Sequence, residues 1–158
     1  MSAAPTRPTL PSGTETRRWV RITRRLIASP ERVYRAWTDP EEFIRWFPER
    51  IEGSLAVGTR STLIWAKESA WWDVQAAEPQ RRLVVRRPWL PADRLVTTLT
   101  ITIEHAGYGT RMTLEDGPFP IDEPGVLDAW AEALEGWGEA VTMLRAYLDF
   151  SIDVRRSG

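Results

Sequence analysis

The strongest periodicity in the chain lies near its end, where residues 126–149 read VLDAWAEALEGWGEAVTMLRAYLD. At about 100° per residue, Leu127, Trp130, Leu134, Trp137, Val141, Leu144 and Leu148 form one stripe, with Asp128, Glu132, Glu135 and Glu139 opposite. The pattern predicts one long helix with a single buried face. The other apolar segments alternate as strands do, so the helix is expected to lie across a sheet. Residues 17–28 set Val20, Ile22 and Leu26 on one side of a first strand. Two short helices follow. Ser29 caps the first ahead of Pro30, with Val33, Tyr34 and Trp37 inward; Asp39 caps the second ahead of Pro40, with Glu42 placed for a capping box and Phe43, Trp46 and Phe47 inward.

The middle of the chain reads as antiparallel strands over 50–53, 60–67, 70–77 and 81–87, punctuated by Gly58 and by Glu78-Pro79-Gln80. In RRLVVRR (81–87) the arginines bracket an apolar centre, as they do where a strand is guarded against edge pairing. The clearest strand covers 94–104, with Leu95, Thr97, Leu99, Ile101 and Ile103 on one face and mostly threonine on the other. Gly107 and Gly109 turn it into a return strand over 110–115 that points Met112 and Leu114 inward. Residues 116–125, with Pro118, Pro120 and Pro124, read as a loop before the long helix. The order predicts an α+β domain over 17–150 with its long helix on one face of a strongly curved antiparallel sheet. It is flanked by a flexible tail at 1–16 and a short tail at 151–158.

Composition narrows the function classes. The chain has 158 residues, 42% hydrophobic and 27% charged, which suits one globular domain with a sizeable core. It lacks cysteine, which removes disulfides, thiolate metal sites and a cysteine nucleophile. The opening residues carry no signal-peptide pattern and no stretch reaches the roughly 18 apolar residues of a membrane span, so a cytoplasmic location is expected. Net charge is −1, yet residues 1–90 hold 16 basic and 10 acidic groups and residues 91–158 hold 5 and 12. Arginine outnumbers lysine 20 to 1, which reads as genome bias, and a pI near 5.9 argues against nucleic-acid binding.

Five segments in order resemble the helix-grip superfamily of START and Bet v 1-like domains, and within it the activator of heat-shock-protein-90 ATPase homologue-like branch. They are IASPERVYRAWTDPEEFIRWF (27–47), IEGSLAVGTRSTLIW (51–65), WWDVQAAEPQRRLVVRRPW (71–89), LTITIEHAGYGTRMTLEDG (99–117) and GWGEAVTMLRAYLD (136–149). The resemblance implies a helix-grip fold: a curved sheet wrapped around the long helix, with two short helices after the first strand. Relatives include binders of apolar small molecules, polyketide cyclases and chaperone co-regulators, and the branch offers no shared catalytic set to carry over.

The residues themselves offer little acid–base chemistry. His105 is the only histidine, which removes imidazole clusters and triads with a spare histidine, and its place at a strand end reads as a solvated surface position. Glu115 and Asp116 should point to opposite faces of a strand and share no site. Gly136 and Gly138 flank Trp137 inside the helix at a cost of about 1 kcal/mol each. Either the helix approaches the sheet closely or bends there, or the missing side chains leave room for a ligand. The leading expectation is therefore binding of an apolar or amphipathic small molecule between helix and concave sheet, lined by Trp65, Leu99, Ile101, Met112, Trp130, Leu134 and Trp137, with no catalysis, cofactor or metal. Alternatives are a protein-interaction module that docks a chaperone or another partner through the acidic helix face, and a cyclase- or hydratase-like enzyme. A homodimer is open under each reading.

Overall fold

The computed structural model describes residues 16–156, so the expected N-terminal tail lies outside the described residues except for Thr16. The chain runs β1 (Arg17–Leu26), α1 (Pro30–Thr38), α2 (Pro40–Phe43), β2 (Arg50–Glu52), β3 (Arg60–Ile64), β4 (Ser69–Glu78) and β5 (Arg82–Pro88). A single turn of 3-10 helix (Pro91–Asp93) leads to β6 (Val96–Ala106), β7 (Gly109–Pro120) and the long helix α3 (Val126–Phe150). The seven strands form one antiparallel sheet in the order β1-β7-β6-β5-β4-β3-β2. This is the expected α+β helix-grip architecture.

Local chemistry places each element. The Ser29 hydroxyl accepts the N–H of Arg32 at 3.3 Å and the Asp39 carboxylate accepts that of Glu41 at 2.9 Å, each satisfying an otherwise orphaned helix donor. Glu42 completes no capping box; it accepts the Tyr147 hydroxyl and ties α2 to α3. Leu95, Thr97, Leu99, Ile101 and Ile103 are buried on one face of the sheet, as their alternation requires. At the far end of α3, the Asp149 carboxylate accepts the backbone N–H groups of Ile27 and Ala28 at 2.9 and 3.0 Å, pinning the helix to the β1–α1 corner. Between α1, α2 and the sheet, Trp37 and Trp46 meet edge to face at 4.8 Å. Such a pair contributes about 0.5–1.5 kcal/mol beyond its buried area.

Three further expectations fail. The buried face of α3 is Val126, Ala129, Ala133, Trp137, Ala140, Val141, Leu144 and Leu148, while Leu127 and Leu134 are 51% and 41% exposed. In its first half the helix turns small side chains to the core. Strand β7 runs on to Pro120, so 116–120 are not loop: Gly117 pairs with Thr98, and Phe119 and Pro120 with β1. That extension turns Asp116 into the interior, where it is fully buried. Finally, β5 lies between β4 and β6 and guards no edge. Its Arg82 pairs with Glu78 at 2.9 Å, and Arg87 has a different role.

Candidate functional site

The centre of the concave face is filled. Leu99, Ile101, Met112 and Leu114 have no solvent exposure, and the Met112 sulfur accepts the Trp37 indole N–H at 3.3 Å. Space opens instead at one end of the sheet, in a cavity of about 1060 Å³. One wall is the β3–β4 hairpin with Trp65 and Trp71, a second the β5–β6 connection from Arg87 to Asp93, and a third the middle of α3 from Glu132 to Met143. Phe47 and Arg155 complete it. Arg155 follows the long helix, where the chain folds back in a short turn (Val154–Arg156). Its guanidinium is spent on Asp153 and on the carbonyls of Phe47 and Pro48, so it serves as a clamp.

The indoles of the cavity are held by a buried hydrogen-bond chain. Trp89 donates its Nε1–H to the Thr97 hydroxyl at 2.8 Å, Thr97 donates to one oxygen of Asp116, and Trp137 donates to the other oxygen at 2.8 Å. Thus β7 supplies one carboxylate that orients aromatic rings from both the β5–β6 connection and the helix. Burial pushes the Asp116 carboxyl above its usual range; the hydrogen bonds from Thr97 and Trp137 and the charge of Arg87 oppose that push without cancelling it. Half-buried Arg87 lies 4.0 Å from the centre of the Trp89 ring and 5.6 Å from that of Trp137, in cation–π range of both. Desolvation pulls its pKa down to about 10, against the favourable pull of Asp116, so it is a cation at neutral pH.

Comparison with known proteins places the fold in a family. Residues 27–149 match the family described as Activator of Hsp90 ATPase homolog 1-like protein. The chain belongs to that family. Among solved structures it is similar to MLL2253 from Mesorhizobium loti, at 26% identity and TM-score 0.73 over 83% of this chain and 96% of that one. It is also similar to DynU16 of the dynemicin biosynthetic locus, at 23% identity and TM-score 0.73 over 84% of this chain and 48% of that one, so it spans about half the length of DynU16. The Aha1 dimer from Colwellia psychrerythraea superimposes with TM-score 0.72 at 17% identity, over 84% of this chain and 96% of that one. No curated protein matches the sequence significantly. No helix among the described residues is long and apolar enough to cross a membrane.

Of the seven residues expected around a ligand, the family fold brings two, Trp65 and Trp137, to this cavity. Leu99, Ile101 and Met112 are packed into the core beneath it because the centre of the sheet has no room left. Trp130 sits elsewhere on α3, donating to the Trp19 carbonyl at 3.2 Å under the Arg18 guanidinium, and Leu134 faces outward. Phe47, Trp71, Arg87 and Trp89 line the cavity from outside that set of seven, and Asp116 braces it from behind. A side chain built at Gly136 or Gly138 would meet nothing within 4 Å, so close approach to the sheet does not explain these glycines. Gly136 borders the cavity.

Proposed function

We propose that this domain binds an apolar or amphipathic small molecule in the cavity at the end of the sheet. The observation that carries the reading is the wall itself: aromatic faces from four separate segments converge on a space of about 1060 Å³, beside a helical glycine whose side-chain position is empty. Small-molecule sites are of this size and character, concave and largely apolar with a few placed polar groups. The family and the solved relatives support a binding domain without naming its ligand. Among the alternatives, the enzymatic one gains a buried carboxylate beside an arginine. Both oxygens of Asp116 already accept hydrogen bonds and none of it is exposed, which suits a brace better than an acid or base.

Native mass spectrometry of freshly purified protein, followed by denaturation, tests the reading. The expected result is an extra mass that is lost on denaturation and absent from Gly136→Phe, which fills the cavity from the helix side. The reading is overturned if the wild type carries no extra mass and none of a panel of aromatic and aliphatic compounds raises its melting temperature more than that of Gly136→Phe.

A further inference from the structure

Resting on the binding reading above and deepening it, we propose that the ligand is a planar aromatic acid whose single anionic group is held by Arg87. The guanidinium of Arg87 has five N–H donors. Nε and Nη2 each donate to the Pro88 carbonyl, at 3.3 and 3.0 Å, which leaves three N–H groups without a protein acceptor. Among the described residues no carboxylate forms an ion pair with it. Asp116, whose charge acts on Arg87, forms no ion pair with it, and each of its oxygens already accepts a hydrogen bond, from Thr97 and from Trp137. Arg155, the other cation of the wall, is neutralised by Asp153 and spends four of its five N–H groups on that carboxylate and two carbonyls. The cavity therefore contains one cation that has no ion-pair partner and keeps three donors unused, a geometry that matches the two oxygens of a carboxylate or sulfonate.

The rest of the wall defines what the acid is attached to and what is refused. Trp65, Trp71, Trp89 and Phe47 offer flat apolar surface, which favours a fused or linked aromatic body over a flexible chain. Exposed Glu68, Asp93, Glu132 and Glu139 ring the same cavity. Four carboxylates at the mouth repel polyanions such as nucleotides, while a ligand with one acidic end can place that end at Arg87 and present a neutral or polar end to the rim. Desolvation beside Trp89 and Trp137 strengthens the contact with the anion relative to the same pair in water.

A matched pair of fluorescent probes reads this directly: 1-anilinonaphthalene-8-sulfonate and N-phenyl-1-naphthylamine, the same aromatic body with and without the acid. Wild-type protein is expected to bind the sulfonate roughly tenfold or more tightly than the neutral probe, the scale of a charge-assisted hydrogen-bond pair, and added salt should narrow that ratio. Arg87→Met should bring the ratio close to one while keeping the neutral probe, and Arg87→Lys, with the charge but not the planar fork, should fall between. Equal wild-type affinities overturn the inference and leave the binding reading standing. So does an unchanged ratio in Arg87→Met, or sulfonate binding untouched by Gly136→Phe. If wild type binds neither probe, this inference falls, while the binding reading is judged by its own mass and melting test. Where Arg87→Met melts without cooperativity, the wild-type ratio and its salt dependence decide alone.

Discussion

The indole N–H of Trp137 on the long helix reaches the buried carboxylate of Asp116 on β7 at 2.8 Å. This contact fixes the rotation of α3 against the sheet at the point where the cavity begins, because the same ring packs against Phe47 at 5.7 Å and Trp89 at 6.4 Å. A buried carboxylate is costly unless its oxygens are satisfied, so the residues that satisfy it are constrained by folding as well as by any ligand.

Trp137→Phe keeps most of the aromatic packing and removes one donor from Asp116. Leaving that oxygen unpaired should destabilise the fold by about 1–3 kcal/mol, with the two-state transition retained. Urea denaturation followed by circular dichroism checks this. Trp89→Phe, whose indole donates to Thr97 and is the weakest of the hydrogen-bonding influences on Asp116, should cost less.

Asp116 also sets a pH dependence. Its folded pKa is raised, chiefly by desolvation, above the ordinary value of 3.8, so the folded chain keeps this proton to a higher pH than the unfolded chain does. The stability linked to that proton is complete below 3.8 and is lost as pH rises through the folded value. Asp116→Asn cannot ionise. The stability of wild type minus that of Asp116→Asn should therefore fall as pH climbs above 3.8 and level off once the carboxyl has ionised. Denaturation curves at intervals between about pH 3 and about pH 7 measure it; a difference that rises with pH would reverse the assignment.

Much of the fold is legible in the residue pattern because its signals are local. Ser29-Pro30 and Asp39-Pro40 mark helix starts, and the alternation from Leu95 to Ile103 marks a strand and its inner face. The cavity is less legible because it depends on which strand lies beside which. Arg87 reads as an edge guard until β5 is seen to be central, yet parity already places it on the face of buried Leu83 and Val85. Asp116 likewise shares parity with Met112 and Leu114, and only the prolines after it suggest that the strand has ended. On the helix, large residues dominate a wheel projection, while the early core contacts fall to Ala129 and Ala133, whose small size hides them from such a projection.

Two kinds of glycine predict opposite responses. Gly136→Ala and Gly138→Ala add a methyl group into open space within a helix and should each stabilise the domain by about 1 kcal/mol. A Cβ at Gly109 would lie 2.0 Å from the Leu26 carbonyl oxygen and 2.9 Å from that of Ile27, both backbone atoms beside the β1–β7 pairing. Gly109→Ala should cost at least about 3 kcal/mol or prevent folding. Parallel thermal melts of the three variants distinguish them.

The loop over the cavity is built under strain and tied to β4 by a side-chain hydrogen bond. Ala92 and Asp93 both adopt left-handed backbone, with φ of 58° and 54°, a conformation that costs non-glycine residues roughly 1 kcal/mol or more. Opposing this, Trp71 donates its indole N–H to Asp93 at 3.0 Å, and the Arg60 guanidinium lies 4.1 Å over the Trp71 ring while paired with Asp73. Asp93→Ala removes the fastening and keeps the strain, so the loop should open more often. The expected signature is a several-fold faster release of N-phenyl-1-naphthylamine in stopped-flow fluorescence and faster hydrogen exchange over 90–95. Global stability should change by no more than about 1 kcal/mol, since the contact is exposed. Ala92→Gly relieves the strain and keeps the fastening, and should slow release instead. If both variants release the probe at the wild-type rate, the loop does not control access to the cavity.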